Sequence, residues 1–67
     1  MLPLSEQVRA AQRELHLRKQ VYPGLVRQGK MSADEAEYQI RAMANIVKTL
    51  HRLDAEERQL SLFATPA

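Results

Sequence analysis

The chain has 67 residues, with ten Lys or Arg and eight Asp or Glu, which gives a formal net charge of +2. A chain this short buries only about 60% of the surface that its unfolded form exposes, so we expect one domain with a thin core and no deep active-site cavity. The absence of Cys excludes disulfides and thiolate metal sites, and this mild, well-mixed charge does not by itself indicate nucleic-acid binding.

The first predicted element is an amphipathic helix from Ser5 to Tyr22. Ser5 is a suitable N-cap, and Pro23 disfavours helical geometry at the residue before it, so the helix should end at Tyr22. Leu17 and Val21 are expected to widen the apolar stripe of this helix. The stripe itself recurs at helical spacing, at Leu4, Val8, Ala11, Leu15 and Tyr22.

The Pro and Gly residues in 23–29 predict a short connector between the two helices. Pro23 can open one helical turn, and Gly29 can close it by adopting a positive φ. Leu25 and Val26 would then cover the end of the core.

The second predicted helix begins at a capping box. Ser32 should cap the amide of Glu35, whose side chain should reach back to the start of the helix. The helix is expected to persist to about Glu57. Its apolar stripe comprises Ala36, Ile40, Met43, Val47, Leu50 and Leu53.

Together these elements predict an all-α fold, in which residues 1–58 form an antiparallel two-helix hairpin with a short helical connector. Residues 59–67 are expected to form a flexible C-terminal tail. The second helix is the longer one, so its last turns should extend past the N-terminus. A lone hairpin is only marginally stable. Either the two stripes suffice, or two copies pair as a homodimer in a four-helix arrangement, and the sequence leaves both open.

The residues that carry chemistry in enzymes are not arranged for it in this sequence. His16 and His51 lack the i,i+3 or i,i+4 spacing of a metal pair, and the hairpin should hold them apart as two surface histidines. The carboxylates are scattered, and the two glycines do not form a phosphate-binding loop. We therefore predict a non-enzymatic protein without catalytic residues, metal or cofactor.

No stretch of the sequence resembles a targeting signal or a membrane helix, so we expect a soluble, cytoplasmic protein without a membrane partner. The Lys and Arg residues are spread over both helices, and no helix-turn-helix is recognisable. Weak, nonspecific DNA binding is therefore kept only as a lesser alternative, and nucleic acid is expected as a partner only indirectly.

The C-terminal stretch differs from the rest of the chain. Leu60, Leu62 and Phe63 form an apolar cluster next to the chain end, and Phe63 is the only Phe. Their spacing departs from the helical period, which favours an extended peptide. Such a peptide suits recognition by a groove on a larger partner.

The stretch Gln59-Leu60-Ser61-Leu62-Phe63 resembles the pentapeptide by which bacterial polymerases, mismatch-repair proteins and initiator regulators bind the β sliding clamp, and all five positions match. The resemblance implies that Gln59 binds at the pocket edge through its amide and that Leu60 enters a shallow channel. It further implies that Leu62 and Phe63 fill the deep pocket while Ser61 faces outward. The chain would then be an adaptor or modulator of replication or repair.

The rest of the chain, with Tyr22-Pro23-Gly24 and residues 32–36, is similar to short helical proteins of bacteria and their prophages, a similarity that transfers no functional residue. The alternative to docking on a clamp is a structural or oligomerising hairpin. In that case the apolar tail residues would fold back on their own core, near Leu4 and Leu53.

Overall fold

The computed structural model describes residues 1–64. Two helices, α1 (Leu4–Arg27) and α2 (Ala33–Ala64), pack along each other, and the described residues contain no strand. Side-chain hydrogen bonds join Gln12 to His51 and Arg18 to Gln39, so one helix runs antiparallel to the other. The predicted all-α hairpin is confirmed. The molecule is elongated, with principal extents of 60 × 17 × 16 Å.

The start of α1 differs from the prediction. The N-cap is Pro3, with φ −56° and ψ 150°, and no side chain caps the helix. The Pro3 carbonyl accepts hydrogen bonds from the amides of Glu6 and Gln7, both at 3.1 Å. Ser5 therefore lies inside the first turn, and its predicted capping role is wrong. Because Pro3 holds an extended backbone directly before Leu4, the helix can begin one residue earlier than expected.

α1 also continues through Pro23, where the sequence predicted its end. The proline ring removes one amide, which would otherwise bond to the Lys19 carbonyl, and this disfavours the helix locally. The turn that follows is nevertheless retained, because it half-buries Leu25 and Val26 at the end of the hairpin. The predicted connector turn is therefore the last turn of α1, and residues 28–32 join the helices.

Gly29 ends this last turn as predicted, with φ +72°. The Gly29 amide donates to the Val26 carbonyl at 3.0 Å, and the Lys30 amide donates to the Leu25 carbonyl at 2.9 Å. These two bonds form a Schellman motif, which satisfies carbonyls that the helix end would otherwise leave unpaired.

The two glycines predict stability changes of opposite sign. Gly29→Ala should lower the free energy of unfolding by about 1–2 kcal/mol, because an L-residue is strained at this positive φ. Space is not the cause, since a Cβ at Gly29 would meet no atom within 4 Å. Gly24→Ala should instead stabilise by about 0.5–1 kcal/mol, because Gly24 lies inside α1 and an added Cβ fits there. Denaturant unfolding followed by circular dichroism measures both changes, and two changes of equal sign would contradict this account.

α2 begins at the predicted Ser32 cap, although the predicted return bond from the Glu35 side chain is absent, and it ends later than predicted. The Ser32 hydroxyl accepts a hydrogen bond from the Glu35 amide at 3.0 Å. No Gly or Pro interrupts the 32 residues of α2, which runs seven residues past the predicted end at Glu57. The tail predicted to begin at Gln59 is therefore helical through Ala64, and its last three residues lie outside the described residues.

The core lies between the two predicted stripes. Its buried members are Val8, Ala11, Ala36, Met43 and Val47, and Leu15 and Leu50 pack against it half-buried. No large side chain among the described residues is less than 2% exposed, which confirms that the core is thin. Leu17 and Val21 do not widen the buried stripe as predicted. They are 47% and 50% exposed, because they face sideways from α1 rather than towards α2.

Candidate protein-binding site at the end of α2

The end of α2 presents its large apolar side chains to solvent. Leu60, Leu62 and Phe63 are 67%, 78% and 79% exposed. The fold-back onto Leu4 and Leu53, considered as the alternative, is absent from the structure. Since α1 begins only at Leu4, it has no residues that could cover the last turns of the longer α2.

The helical conformation divides the apolar side chains of the pentapeptide between two sides of α2. Leu60 and Phe63 are three residues apart and line one shallow groove together with Glu56 and Gln59. Leu62 points to the other side, where it borders a groove that reaches Val8 of α1. In this state the three side chains cannot enter one pocket together.

Ion pairs between residues one helical turn apart stabilise the stretch of α2 that leads into the pentapeptide. Arg58 pairs with Asp54 at 3.2 Å, and Arg52 lies 3.8 Å from Glu56. Pairs of this i,i+4 kind contribute a few tenths of a kcal/mol each to helix stability. The helix end is therefore held by its own backbone bonds and weak surface pairs, with little tertiary packing.

The two histidines lie apart, as predicted. His16 is exposed, whereas the Nε2 atom of His51 lies 2.8 Å from the Gln12 side-chain nitrogen. Because an amide nitrogen only donates, the ring nitrogen of His51 accepts in this bond. Within residues 1–64 no group of three His, Asp or Glu side chains is placed to hold a metal ion.

Comparison of the chain with models of protein families, with curated proteins and with solved structures gives no significant match. Neither helix, over the part of the chain that the structure describes, is long and apolar enough to span a membrane. A function can therefore be proposed only from the sequence and the exposure of the residues at the end of α2.

A second row of exposed apolar residues lies along α2 and was not predicted. Ile46, Leu53 and Leu60 follow each other at intervals of seven residues, or about two helical turns. Leu53 was assigned to the core stripe, yet it is 39% exposed. The signal that could have identified this row is its constant spacing, which runs one residue before the row of the buried Val47 and the half-buried Asp54.

Proposed function

We propose that this chain is a non-enzymatic interaction protein that docks Gln59–Phe63 into the peptide-binding pocket of the bacterial β sliding clamp. The observation that supports the proposal is the match at all five positions of the pentapeptide, in a segment whose Leu62 and Phe63 are more than three-quarters exposed. In this function the chain acts as an adaptor or as a modulator of replication or repair.

Burial of these side chains supplies the driving force for docking. Full burial of a Leu or Phe side chain contributes about 1.5–3 kcal/mol relative to exposure. Within residues 1–64 the hairpin does not bury Leu62 or Phe63, so a pocket on a partner can gain this free energy for both. Apolar anchors that fill a pocket dominate the binding energy of most interfaces.

Docking requires a local change in α2. Successive residues of an α-helix are about 100° apart around its axis, so Leu62 and Phe63 diverge in the hairpin. We infer that the last turns unwind, so that both side chains enter the deep pocket while Gln59 and Leu60 bind along its edge and channel. Terminal helical turns open at low free energy when little tertiary packing holds them. The apparent affinity is then reduced by the fraction of chains that are unwound at this end.

The two roles, adaptor and modulator, differ in what the hairpin does. As an adaptor, it would bind a second protein and bring it to the clamp through the pentapeptide. As a modulator, the chain would occupy the pocket that polymerases use and so compete with them. Both roles depend on the same docking contact.

A calorimetric titration of purified bacterial sliding clamp with the intact chain tests the proposal. We expect saturable binding with a dissociation constant in roughly the micromolar range. A synthetic peptide of residues 58–64 should displace the chain, whereas a peptide of the same composition in scrambled order should not. Absence of binding at about 1 mM, where an interaction of only about 4 kcal/mol would be detected, would contradict the proposal.

A further inference from the structure

One side of the hairpin carries an exposed apolar surface that the docking of the pentapeptide does not use. On α2 it contains Ile46 and Leu53, which are 47% and 39% exposed. On α1 it contains Leu17 and Val21, at 47% and 50%. We refer to these four residues as the lateral face.

A hydrogen-bonded bridge shows that both rows lie on the same side of the hairpin. Glu14 lies one turn before Leu17, and Gln39 lies two turns before Ile46, so each shares the side of its row. Arg18 Nε donates to Glu14 Oε1 at 2.9 Å, and Arg18 Nη1 donates to the Gln39 carbonyl at 3.0 Å. This bridge spans the two helices and therefore marks their common side.

The lateral face has the spacing of a second packing seam on each helix. Its positions alternate steps of three and four residues, and each row lies one residue before a row of buried and half-buried residues. The α1 row is Ala10, Glu14, Leu17 and Val21, and the α2 row is Gln39, Ala42, Ile46, Thr49 and Leu53. A helix that packs on one neighbour needs one such stripe, whereas a helix in a four-helix bundle has a wider apolar face for its further neighbours.

The charge on this surface suits contact with an identical surface. Of the nine positions in the two rows, only Glu14 is ionisable, and it is paired with Arg18. The core of a protein interface is typically depleted of charged residues in this way. Although the chain carries a net charge of +2, two lateral faces can therefore meet without like-charge repulsion at their centre.

The solvent-accessible surface area of the chain is large enough for a second copy of the chain to pack against it. The chain exposes 5410 Å², whereas a compact monomer of 7.7 kDa exposes about 4300 Å². The excess of about 1100 Å² includes the uncovered end of α2, and it is of the size of the roughly 800 Å² that each partner buries in a standard stable interface. We propose that two copies of this chain pair through their lateral faces as a symmetric dimer, which forms a four-helix bundle.

Sedimentation equilibrium over a range of concentrations tests this pairing. We expect the wild-type chain to reach twice its 7.7 kDa mass. Ile46→Glu/Leu53→Glu should weaken association by at least about 100-fold, because it buries unpaired charges at the centre of the interface. Leu17→Ala/Val21→Ala removes apolar area from the other helix without adding charge, and should weaken association by about tenfold or more. Tyr38→Glu is the control, since Tyr38 is 66% exposed on α2 outside both rows, and should dimerise like the wild type.

The proposal is overturned if the wild-type chain stays at 7.7 kDa up to about 1 mM. It is equally overturned if both double variants dimerise as tightly as the wild type, because the contact would then lie on another face. Circular dichroism verifies that each variant is helical, and the alanine variant keeps the test decisive if the glutamate variant unfolds. Leu62 and Phe63 are intact in every variant, so a failure of pairing is distinguishable from a failure of clamp docking.

Discussion

Replacement of both Leu62 and Phe63 by alanine is expected to weaken binding to the sliding clamp by at least about 100-fold. Each anchor that fills a pocket typically contributes about 2 kcal/mol or more when truncated, and about 1.4 kcal/mol corresponds to a factor of ten in affinity. The two side chains are 78% and 79% exposed, so their removal costs the folded hairpin little packing. The titration with purified clamp measures the loss directly.

Tyr38→Ala provides the matched control for this double variant. It also truncates an exposed apolar side chain of α2, but more than twenty residues before the pentapeptide. We expect it to bind the clamp with unchanged affinity. If the Leu62→Ala/Phe63→Ala chain bound as tightly as the wild type, the pentapeptide would not be the docking element.

Met43→Ala is expected to unfold a large fraction of the hairpin. Met43 is 8% exposed and packs in the central cluster with Ala11 and Val47. Truncation of a buried Met to Ala typically costs about 2–5 kcal/mol. A domain of this size has a total stability of only roughly 3–10 kcal/mol, so one cavity removes a substantial part of it.

Thermal unfolding followed by circular dichroism measures this effect at one fixed protein concentration. The midpoint should fall by about 10 °C or more, because about 1 kcal/mol shifts it by roughly 4–8 °C in so small a domain. Tyr38→Ala again serves as the control and should leave the midpoint nearly unchanged. Equal midpoints for the wild type and Met43→Ala would mean that Met43 is not part of the core.

The elements that the sequence predicted correctly are those fixed by local chemistry and by the helical period. The hydroxyl of Ser32 caps α2, and Gly29 takes the positive φ that ends α1. The steps of three and four residues placed Val8, Met43 and Val47 correctly in the core. In each case the local sequence signal and the tertiary packing favour the same structure.

The helix boundaries were missed where a local signal competes with a longer-range one. Pro23 opposes the helix, but the burial of Leu25 and Val26 after it outweighs one missing backbone bond. At the other end, the departure of Leu60 and Leu62 from the apolar period suggested that α2 had ended. The run of residues without Gly or Pro instead carries α2 to Ala64 with little tertiary packing.

The candidate site was predictable in its location but not in its conformation. The exposure of Leu62 and Phe63 follows from their position beyond the reach of α1, which the unequal helix lengths already implied. Their helical state does not follow from a five-residue resemblance, which describes the bound peptide. The lateral face was missed because its row adjoins the buried row, and sequence alone does not show which of two neighbouring rows faces α1.

The proposed docking is tested most directly by nuclear magnetic resonance of the isotope-labelled chain with increasing amounts of unlabelled sliding clamp. We expect the backbone signals of residues 59–63 to change and to lose their helical chemical shifts. Core signals such as those of Ala11 and Val47 should retain the shifts of the folded hairpin. If the clamp leaves the signals of residues 59–63 unchanged, or if they remain helical while other surfaces of the hairpin respond, the pentapeptide is not captured in the way proposed.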